Sequence, residues 1–248
     1  MISPKSLFLR RNQMLLLVLL SSAILTGKPV CAADEPLAAA VESARKTRDE
    51  KQLASLKGQL EVQVAQNASD AALFLELANV HFYLLDVYEI RNDKKAAGIT
   101  VDKAIEAAER SIQLNDKSAD AHSLLADLYG RKISLGNAMF AGPKFGPKVK
   151  EENAKAMALD DKNPRVWASL GRQYLMAPKM FGGDVSKAVE SFQKSLAIDA
   201  SQDETWVWLA KAFAKQGDKT KARDAIQHAL QLNPQSPFVK KTAVSLDK

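Results

Sequence analysis

The chain has 248 residues, of which 46% are hydrophobic and 26% charged, with 11 glycines and 9 prolines. This composition favours helix, and the length allows one sizeable core or a short array of small units. A formal charge of +6 would suggest a nucleic-acid partner, but the charge is distributed unevenly along the chain.

Residues 1–33 have the pattern of a secretory signal peptide. Three basic residues among the first eleven precede the apolar run MLLLVLLSSAIL, and VCAA then supplies small residues. The run is shorter than the about 20 residues that a membrane-spanning helix needs. We therefore expect cleavage after Ala32 or Ala33, with an uncleaved membrane anchor as the alternative.

Removal of this segment changes the net charge of the chain and its cysteine content. It contains four of the 35 basic residues and none of the 29 acidic ones, so 31 basic residues and a formal charge of +2 would remain. The only cysteine, Cys31, is also lost, which leaves no disulfide or thiol chemistry. We expect an exported protein of the periplasm or cell envelope that binds no nucleic acid and meets a membrane only during export.

The rest of the chain, 34–248, is predicted to form consecutive helix pairs. Residues 34–67 give a degenerate first pair, and 71–116 give the first clear unit. In that unit one helix carries Phe74, Leu77, Ala78 and His81 on one face. The facing residues of the second helix are Ala104, Ala108 and Ser111. We expect Asn92-Asp93 and Gly98 to end the lengthened first helix, and Thr100 to cap the second.

The next two units show the same order. In 119–161 the first helix carries His122, Leu125, Ala126 and Tyr129, and Asn153 and Ala156 mark the second. In 164–200 the stretch WASLGRQY is followed by AVESF. Here the large aromatic Trp167 is expected to fill the space between the paired helices, and Gly171 to let the partner helix come close.

The last unit, 203–236, has the clearest pattern. Trp206, Leu209, Ala210 and Phe213 fall on one helical face, and Gly217-Asp218 ends that helix. A second helix ends at Asn233-Pro234, because proline disfavours helix in the residue before it. Residues 237–248 are expected to form a C-terminal capping helix.

These units resemble the tetratricopeptide repeat, whose pattern is W-x2-L-G-x2-Y, then A-x3-F, then P. Unit 164–200 matches it almost literally, with Trp167, Leu170, Gly171, Tyr174, Ala188 and Phe192. The resemblance covers most of 34–248 and implies an all-α solenoid of helix-turn-helix repeats. The aligned first-helix positions Phe74, His122, Trp167 and Trp206 are separated by 48, 45 and 39 residues, against a period of 34. Each excess is interpreted as an insertion between the two helices of a unit.

The stretch MAPKMFGGD (176–184) is the third insertion. A lysine beside two glycines could suggest a phosphate loop, but no Lys-Ser/Thr ending follows and no strand precedes it. We interpret it as a lengthened turn in which Asp184 caps the next helix. The second insertion, GNAMFAGPKFGPK, is interpreted as a similar Gly/Pro-rich turn. In both, the aromatic either packs on a neighbouring insertion or forms a recognition edge, with Phe145, Met180 and Phe181 as candidates.

No catalytic, cofactor-binding or metal-binding constellation emerges, so no enzyme activity is expected and an enzyme remains a third, unsupported class. His81 and His122 are interpreted as structural. The resemblance implies a non-enzymatic scaffold that binds a partner protein in a concave groove lined by first helices. The implied groove residues are Leu75, Asn79, Phe82, Tyr83, Asp127, Arg131, Arg172, Leu175, Met176, Lys211 and Lys215.

A second functional class stays open. The P-x-x-x-GGD turn also resembles turns in exported bacterial tetratricopeptide proteins, including components associated with TRAP-type solute transporters. That resemblance implies a small-ligand or solute-binding accessory of an envelope transport system. The lysine–asparagine carboxylate clamp of chaperone-binding members is not reproduced, since position 75 holds leucine.

Overall fold

The computed structural model describes residues 37–246, and the expected signal peptide lies outside this range. The described chain is all helical, which confirms the predicted α-solenoid. Its elements are α1 Leu37–Thr47, α2 Glu50–Gln66, α3 Ala71–Ile90, α4 Lys94–Leu114, α5 Ala119–Leu135, α6 Ala138–Leu159, α7 Pro164–Met176, a 3-10 turn Lys179–Phe181, α8 Val185–Ile198, α9 Asp203–Gln216, α10 Lys219–Leu232 and α11 Pro237–Leu246.

Consecutive helices pack as antiparallel pairs, and α5 also packs on α7. Short polar side chains start nearly every helix by accepting backbone N–H bonds, which satisfies donors that have no partner within the helix. These N-caps are Asp49, Asp70, Asp93, Ser118, Asn137, Asn163, Asp184 and Asp218. The caps fix the points at which each turn ends and the next helix begins.

The apolar core has two large parts. One joins α1 through α6 and includes Leu53, Leu85 and Leu128, and the other joins α7 through α11 around Phe192. A small cluster of Ala119, Ala156 and Val166 lies between them. Each repeat therefore buries its apolar face only against its neighbours, as expected for a solenoid.

The repeat tryptophans contact the second helix of their own pair: Trp206 stacks on His228 of α10 with ring centroids 4.6 Å apart, and the Lys194 ammonium of α8 lies 4.5 Å from the Trp167 ring centre. Trp167 and Trp206 are half-buried, and each indole Nε1 donates to a carbonyl six residues earlier, at 2.7 Å to Asp161 and 2.9 Å to Ala200. An indole must keep its N–H paired, and the turn carbonyl is the acceptor within reach. The tryptophans thus fasten each first helix to the turn before it.

His122 stands at the same repeat position and makes the same contact. Its Nε2 lies 3.0 Å from the carbonyl oxygen of Asp116, again six residues earlier, while Nδ1 meets the carboxylate of Glu152. The ring is buried. His122 therefore replaces tryptophan as a structural residue.

The space between α7 and α8 is filled by Phe192, which is fully buried. A Cβ atom at Gly171 would lie 2.6 Å from the Cε1 atom of this ring, well inside van der Waals contact. Helices α7 and α8 therefore approach closely at Gly171, as predicted, and the ring that occupies the space of a Cβ there is that of Phe192.

Helix α4 begins earlier than expected. The side chain of Asp93 accepts from the Ala96 N–H at 3.0 Å, and the helix then runs through Gly98 and Thr100 without a break. Asn92 takes a left-handed conformation, with φ of 59°, which asparagine tolerates better than most residues. Thr100 is a buried helix residue and caps nothing.

The second insertion is helix rather than a turn, which also corrects the expectation. Asn137 caps α6, and the helix continues through Pro143 and Pro147. A proline normally disfavours helix in the residue before it, because its ring meets that residue's Cβ. Glycine precedes both prolines here and has no Cβ, so the clash is reduced. Only the third insertion is an interhelical turn.

That turn, 176–184, is closed by its own backbone. The Gly182 N–H donates to Lys179 O and the Gly183 N–H to Pro178 O, both at 3.0 Å. Gly182 has φ of 92°, and a Cβ at Gly183 would lie 1.8 Å from Ala177 O. Asp184 caps α8 as predicted. The glycine N–H groups are thus already paired, which argues against a phosphate loop.

Among the described helices, one is long and apolar enough to cross a membrane by length and composition: Ala71–Ile90. More than half of its most apolar window is buried. It packs against α2 and α4 as the first helix of its pair. Such burial is that of a core helix.

Candidate functional site: a closed groove

The first helices of the pairs surround a cavity of about 1280 Å³. Helices α3, α5, α7 and α9 form its wall, and the N-terminal half of α6 with the turn 176–184 borders it. Its lining mixes aromatic and charged groups. The apolar contributors include Phe82, Tyr83, Leu124, Phe181, Trp208 and Phe238.

Seven of the groove residues implied by the repeat pattern line this cavity: Phe82, Tyr83, Asp127, Arg131, Arg172, Met176 and Lys211. Leu175 and Lys215 line a smaller neighbouring hollow of about 320 Å³ together with Met176, Trp208 and Lys211. Leu75 and Asn79 do not reach either one. Leu75 packs on the core, and buried Asn79 accepts from Arg165 at 3.2 Å.

The three insertion-edge residues lie in different environments. Phe181 lines the cavity, whereas Met180 points away from it and is 82% exposed. Phe145 is partly buried and stacks on Tyr129 with ring centroids 5.5 Å apart. Phe145 is therefore a packing residue, because α6 is helical there and turns this side chain toward α5.

The charged residues of the cavity are largely paired with each other. Arg172 binds Asp127 through two nitrogens, with Nε donating to Oδ1 at 2.9 Å, and Ser169 Oγ donates to the same carboxylate. Arg131 pairs with Asp86 and with Glu89. Three expected groove residues, Asp127, Arg131 and Arg172, thus hold the wall together instead of standing free.

Helix α1 closes the array by bridging its two ends, a feature that the sequence pattern does not reveal. Arg45 Nη1 lies 2.9 Å from Asp203 Oδ1 and 3.0 Å from Glu204 Oε1, both at the start of α9. Asn233 adds a bond from its Nδ2 to Lys46 O at 3.1 Å. The first and last repeats are therefore tied together across more than 150 residues of sequence.

Arg48, in the short link between α1 and α2, is the central residue of this closure. Its guanidinium is buried, donates to Asp86 at 2.8 Å and to Glu204 at 2.6 Å, and lies over the Tyr83 ring at 4.5 Å. Its backbone is left-handed, with φ of 52°. A non-glycine residue keeps this conformation only where its surroundings enforce it.

Two side chains of α9 have shifted ionisation. Burial alone would raise the pKa of Glu204, but the guanidinium groups of Arg48 and Arg45 outweigh it and lower the pKa to about 2. Burial lowers the pKa of Lys211 to about 8, with further repulsion from Arg131. The Lys211 ammonium lies 4.4 Å from the Trp208 ring centre and 4.5 Å from that of Phe238. Among residues 37–246 it forms no ion pair.

Within the described part of the chain, no group of three or more His, Cys, Asp or Glu side chains is arranged to hold a metal. The cavity instead offers hydrogen-bonding atoms that are buried and unused. Arg131 Nε and Asn153 Oδ1 have no partner among the described residues. The site can hold a polar group beside apolar surface, and we find no arrangement of nucleophile and base among its described residues.

Comparison with known proteins agrees with the repeat pattern. The sequence profile described as "Tetratricopeptide repeat" matches residues 203–236, the α9–α10 pair. A crystal structure of a thermophilic tetratricopeptide-repeat protein from Thermus thermophilus superimposes with a TM-score of 0.65 at 14% identity, covering 85% of this chain and 98% of that one. Residues 203–236 are thus a tetratricopeptide repeat, and the described chain has the fold of tetratricopeptide-repeat proteins.

Two further structures are less similar to this chain. YrrB, described as having an unusual peptide-binding site, has a TM-score of 0.42 at 12% identity and covers 84% of this chain and 97% of its own. Pseudomonas aeruginosa PilF has a TM-score of 0.41 at 21% identity, covering 68% and 67%. At this level they add nothing to the fold assignment. No curated protein matches the sequence.

Proposed function

We propose that this protein is a non-enzymatic tetratricopeptide-repeat scaffold of the cell envelope that holds a segment of a partner protein in its cavity. The observation that carries the proposal is the cavity wall, built by four first helices and rich in aromatic groups. Fold relatives of this kind point to a role in protein interaction. The location rests on the signal-peptide pattern of 1–33.

The size of the cavity favours a peptide segment over a small molecule. Small-molecule sites usually measure about 300–1,000 Å³, whereas this cavity measures about 1280 Å³. Because α1 bridges the two ends of the array, a chain end or a short helical tip fits better than a segment that passes through.

The chemistry of the cavity specifies the segment further. Its arginines are already neutralised by Asp86, Glu89 and Asp127. Lys150 and Lys211 line the cavity without an ion pair to a described residue, and Lys211 stands between the rings of Trp208 and Phe238. A segment with an apolar side chain next to a carboxylate would use both features.

Site-specific photo-crosslinking tests this proposal. A photoreactive side chain at Met176, at the cavity, is compared with one at Val62, an exposed position on α2 far from the lining. In envelope extract of the source cells we expect a recurrent partner from position 176 and none from 62. Lys211→Met should weaken the capture, while Lys219→Met on α10 should not. Equal yields from both positions would count against binding in the cavity.

A small-ligand accessory role is the second candidate, and the closure of the array by α1 favours it. Buried ion pairs close the array into a ring, and a closed ring suits an enclosed small molecule better than an open groove does. In this case a library of apolar carboxylates should raise the melting temperature of the isolated protein, since a ligand that binds only the folded state stabilises it. Lys211→Met should abolish that shift. If no carboxylate stabilises the protein, the small-ligand role is rejected and the scaffold role is the one that remains.

A further inference from the structure

An apolar and basic surface lies outside the cavity, where α6 and the turn 176–184 meet. Met139 is 77% exposed, Phe140 73% and Met180 82%, more than the other large apolar side chains described. Exposed lysines stand among them. We define the outer patch as Met139, Phe140, Lys144, Lys148, Lys179 and Met180.

The outer patch occupies one fixed face of α6. Met139, Pro143 and Pro147 form one row at intervals of four residues, and Phe140, Lys144 and Lys148 form the next. The opposite face is held by packing, with Val149 buried and Phe145 stacked on Tyr129. The exposed apolar groups therefore cannot turn inward without breaking that packing.

The turn that carries Lys179 and Met180 adjoins the same helix. The Lys150 ammonium lies 3.6 Å from the position of a Cβ on Gly182. Pro143 and Pro147 of α6 border the same cavity as Pro178 of the turn. The two parts of the outer patch thus flank one mouth.

The lysines at the outer patch form no ion pairs with described residues. Residues 136–150 and 176–183 contain four lysines and no aspartate or glutamate. None of these lysines forms an ion pair with a described residue, whereas Lys132, Lys155 and Lys194 elsewhere each pair with a carboxylate. The outer patch therefore presents three lysines, a local charge of about +3, beside protruding apolar groups.

We propose that the outer patch binds the surface of a membrane that contains anionic phospholipids. Met139, Phe140 and Met180 would enter the boundary between headgroups and acyl chains, while the lysines reach back to the phosphates. The positive charge favours an anionic partner. The exposed apolar side chains favour a lipid surface over a nucleic acid, because they can enter the acyl-chain region. This goes beyond an expected membrane contact during export alone, and it holds whichever ligand the cavity takes.

The test uses the chain that begins at residue 34. Residues 36–248 form a unit of their own, so this chain keeps every described contact while the apolar run near the N-terminus is removed. Binding is measured by flotation with vesicles of phosphatidylcholine containing 30 mol% phosphatidylglycerol, and with vesicles of phosphatidylcholine alone. We expect binding to the anionic vesicles that falls as salt rises.

Matched variants locate the binding surface. Lys144→Gln with Lys148→Gln should weaken binding about 25-fold, since each lysine near an anionic surface contributes about fivefold. Met139→Ser with Phe140→Ser should weaken it at least tenfold. Val62→Ser with Ile99→Ser removes two similarly exposed apolar groups elsewhere and should change nothing. All of these positions are exposed, so helicity and melting temperature should stay as in the parent chain.

A fluorescent dye on the outer patch can report its insertion into the membrane directly. The chain from residue 34 has no cysteine, so Phe140→Cys and Ile99→Cys can each carry one environment-sensitive dye. Emission from position 140 should shift to the blue with anionic vesicles, and emission from 99 should not. Absent vesicle binding, or equal losses in the patch and control variants, would overturn the proposal. So would patch variants that keep vesicle binding but lose capture of an envelope protein.

Discussion

A single methyl group tests how closely α7 and α8 are packed. Replacing a glycine by alanine within a helix usually stabilises a protein by up to about 1 kcal/mol. At Gly171 the new Cβ would meet three atoms of the Phe192 ring at 2.6–2.9 Å. This ring is fully buried and has no free space to enter. Overpacking of this kind costs about 1–3 kcal/mol, so we expect Gly171→Ala to destabilise the protein by about 1–2 kcal/mol.

Gly130→Ala is the matched control, because it lies within α5 and a Cβ there meets no atom within 4 Å. It should stabilise by up to about 1 kcal/mol. For a chain of this size each kcal/mol shifts the melting temperature by about 2–4 °C, so circular dichroism at 222 nm can separate the two variants. Phe192→Leu should relieve the damage in the Gly171→Ala background, giving a coupling of about 1 kcal/mol or more. Equal stabilisation by both alanines would refute the tight packing.

Three more predictions follow from buried groups. Phe192→Ala should cost about 3–5 kcal/mol in urea unfolding, whereas Phe181→Ala should stay within about 0.5 kcal/mol. Burial, with repulsion from Lys57, lowers the pKa of His81 to about 4. The unfolded chain therefore binds this proton first, and about 3 kcal/mol of stability should be lost as the pH falls from 6.5 to 4, but not in His81→Gln. Arg48→Met removes one of two arginine partners from both Asp86 and Glu204, which keep Arg131 and Arg45, and should cost up to about 3 kcal/mol at pH 7. Because the pKa of Glu204 is depressed, that contribution is present above about pH 4.3 and disappears toward pH 2, which acid-unfolding curves of the parent and variant would show.

The repeat architecture could be read from the sequence because its signals are local. The apolar periodicity of Leu209, Ala210 and Phe213 reappears as a buried face of α9. Asp184 and Gly182 specify the cap and the left-handed turn residue that the structure contains. Interactions within about ten residues leave a pattern that propensity and spacing reveal.

Two local predictions failed for reasons that are also local. Proline is expected to break helix in GNAMFAGPKFGPK, whereas the glycine before each proline reduces the steric conflict. Asp93 competes with Thr100 as an N-cap, and it lies where Asn92 has already reversed the chain. In both cases the effect of one residue depends on its immediate neighbour, which a residue-type rule does not capture.

The closure of the groove has no local signature. Arg45 and Arg48 look like ordinary basic residues near the end of an exposed helix, and their partners lie at 86, 203 and 204. Which arginine meets which carboxylate depends on the cumulative rotation of five helix pairs. A small change in that rotation would open the ring, so only the three-dimensional arrangement reveals it.

This closure limits how a ligand can bind. Opening the ring would separate Arg48 from Asp86, and both Arg45 and Arg48 from Glu204, at a cost of about 3–5 kcal/mol. A ligand that requires opening would lose roughly 10²–10⁴ in affinity relative to one that does not. Binding at Trp208, Lys211 and Phe238 leaves those ion pairs intact. We therefore expect Arg48→Met to leave the affinity for such a ligand unchanged, and to increase the affinity only for one that must displace α1.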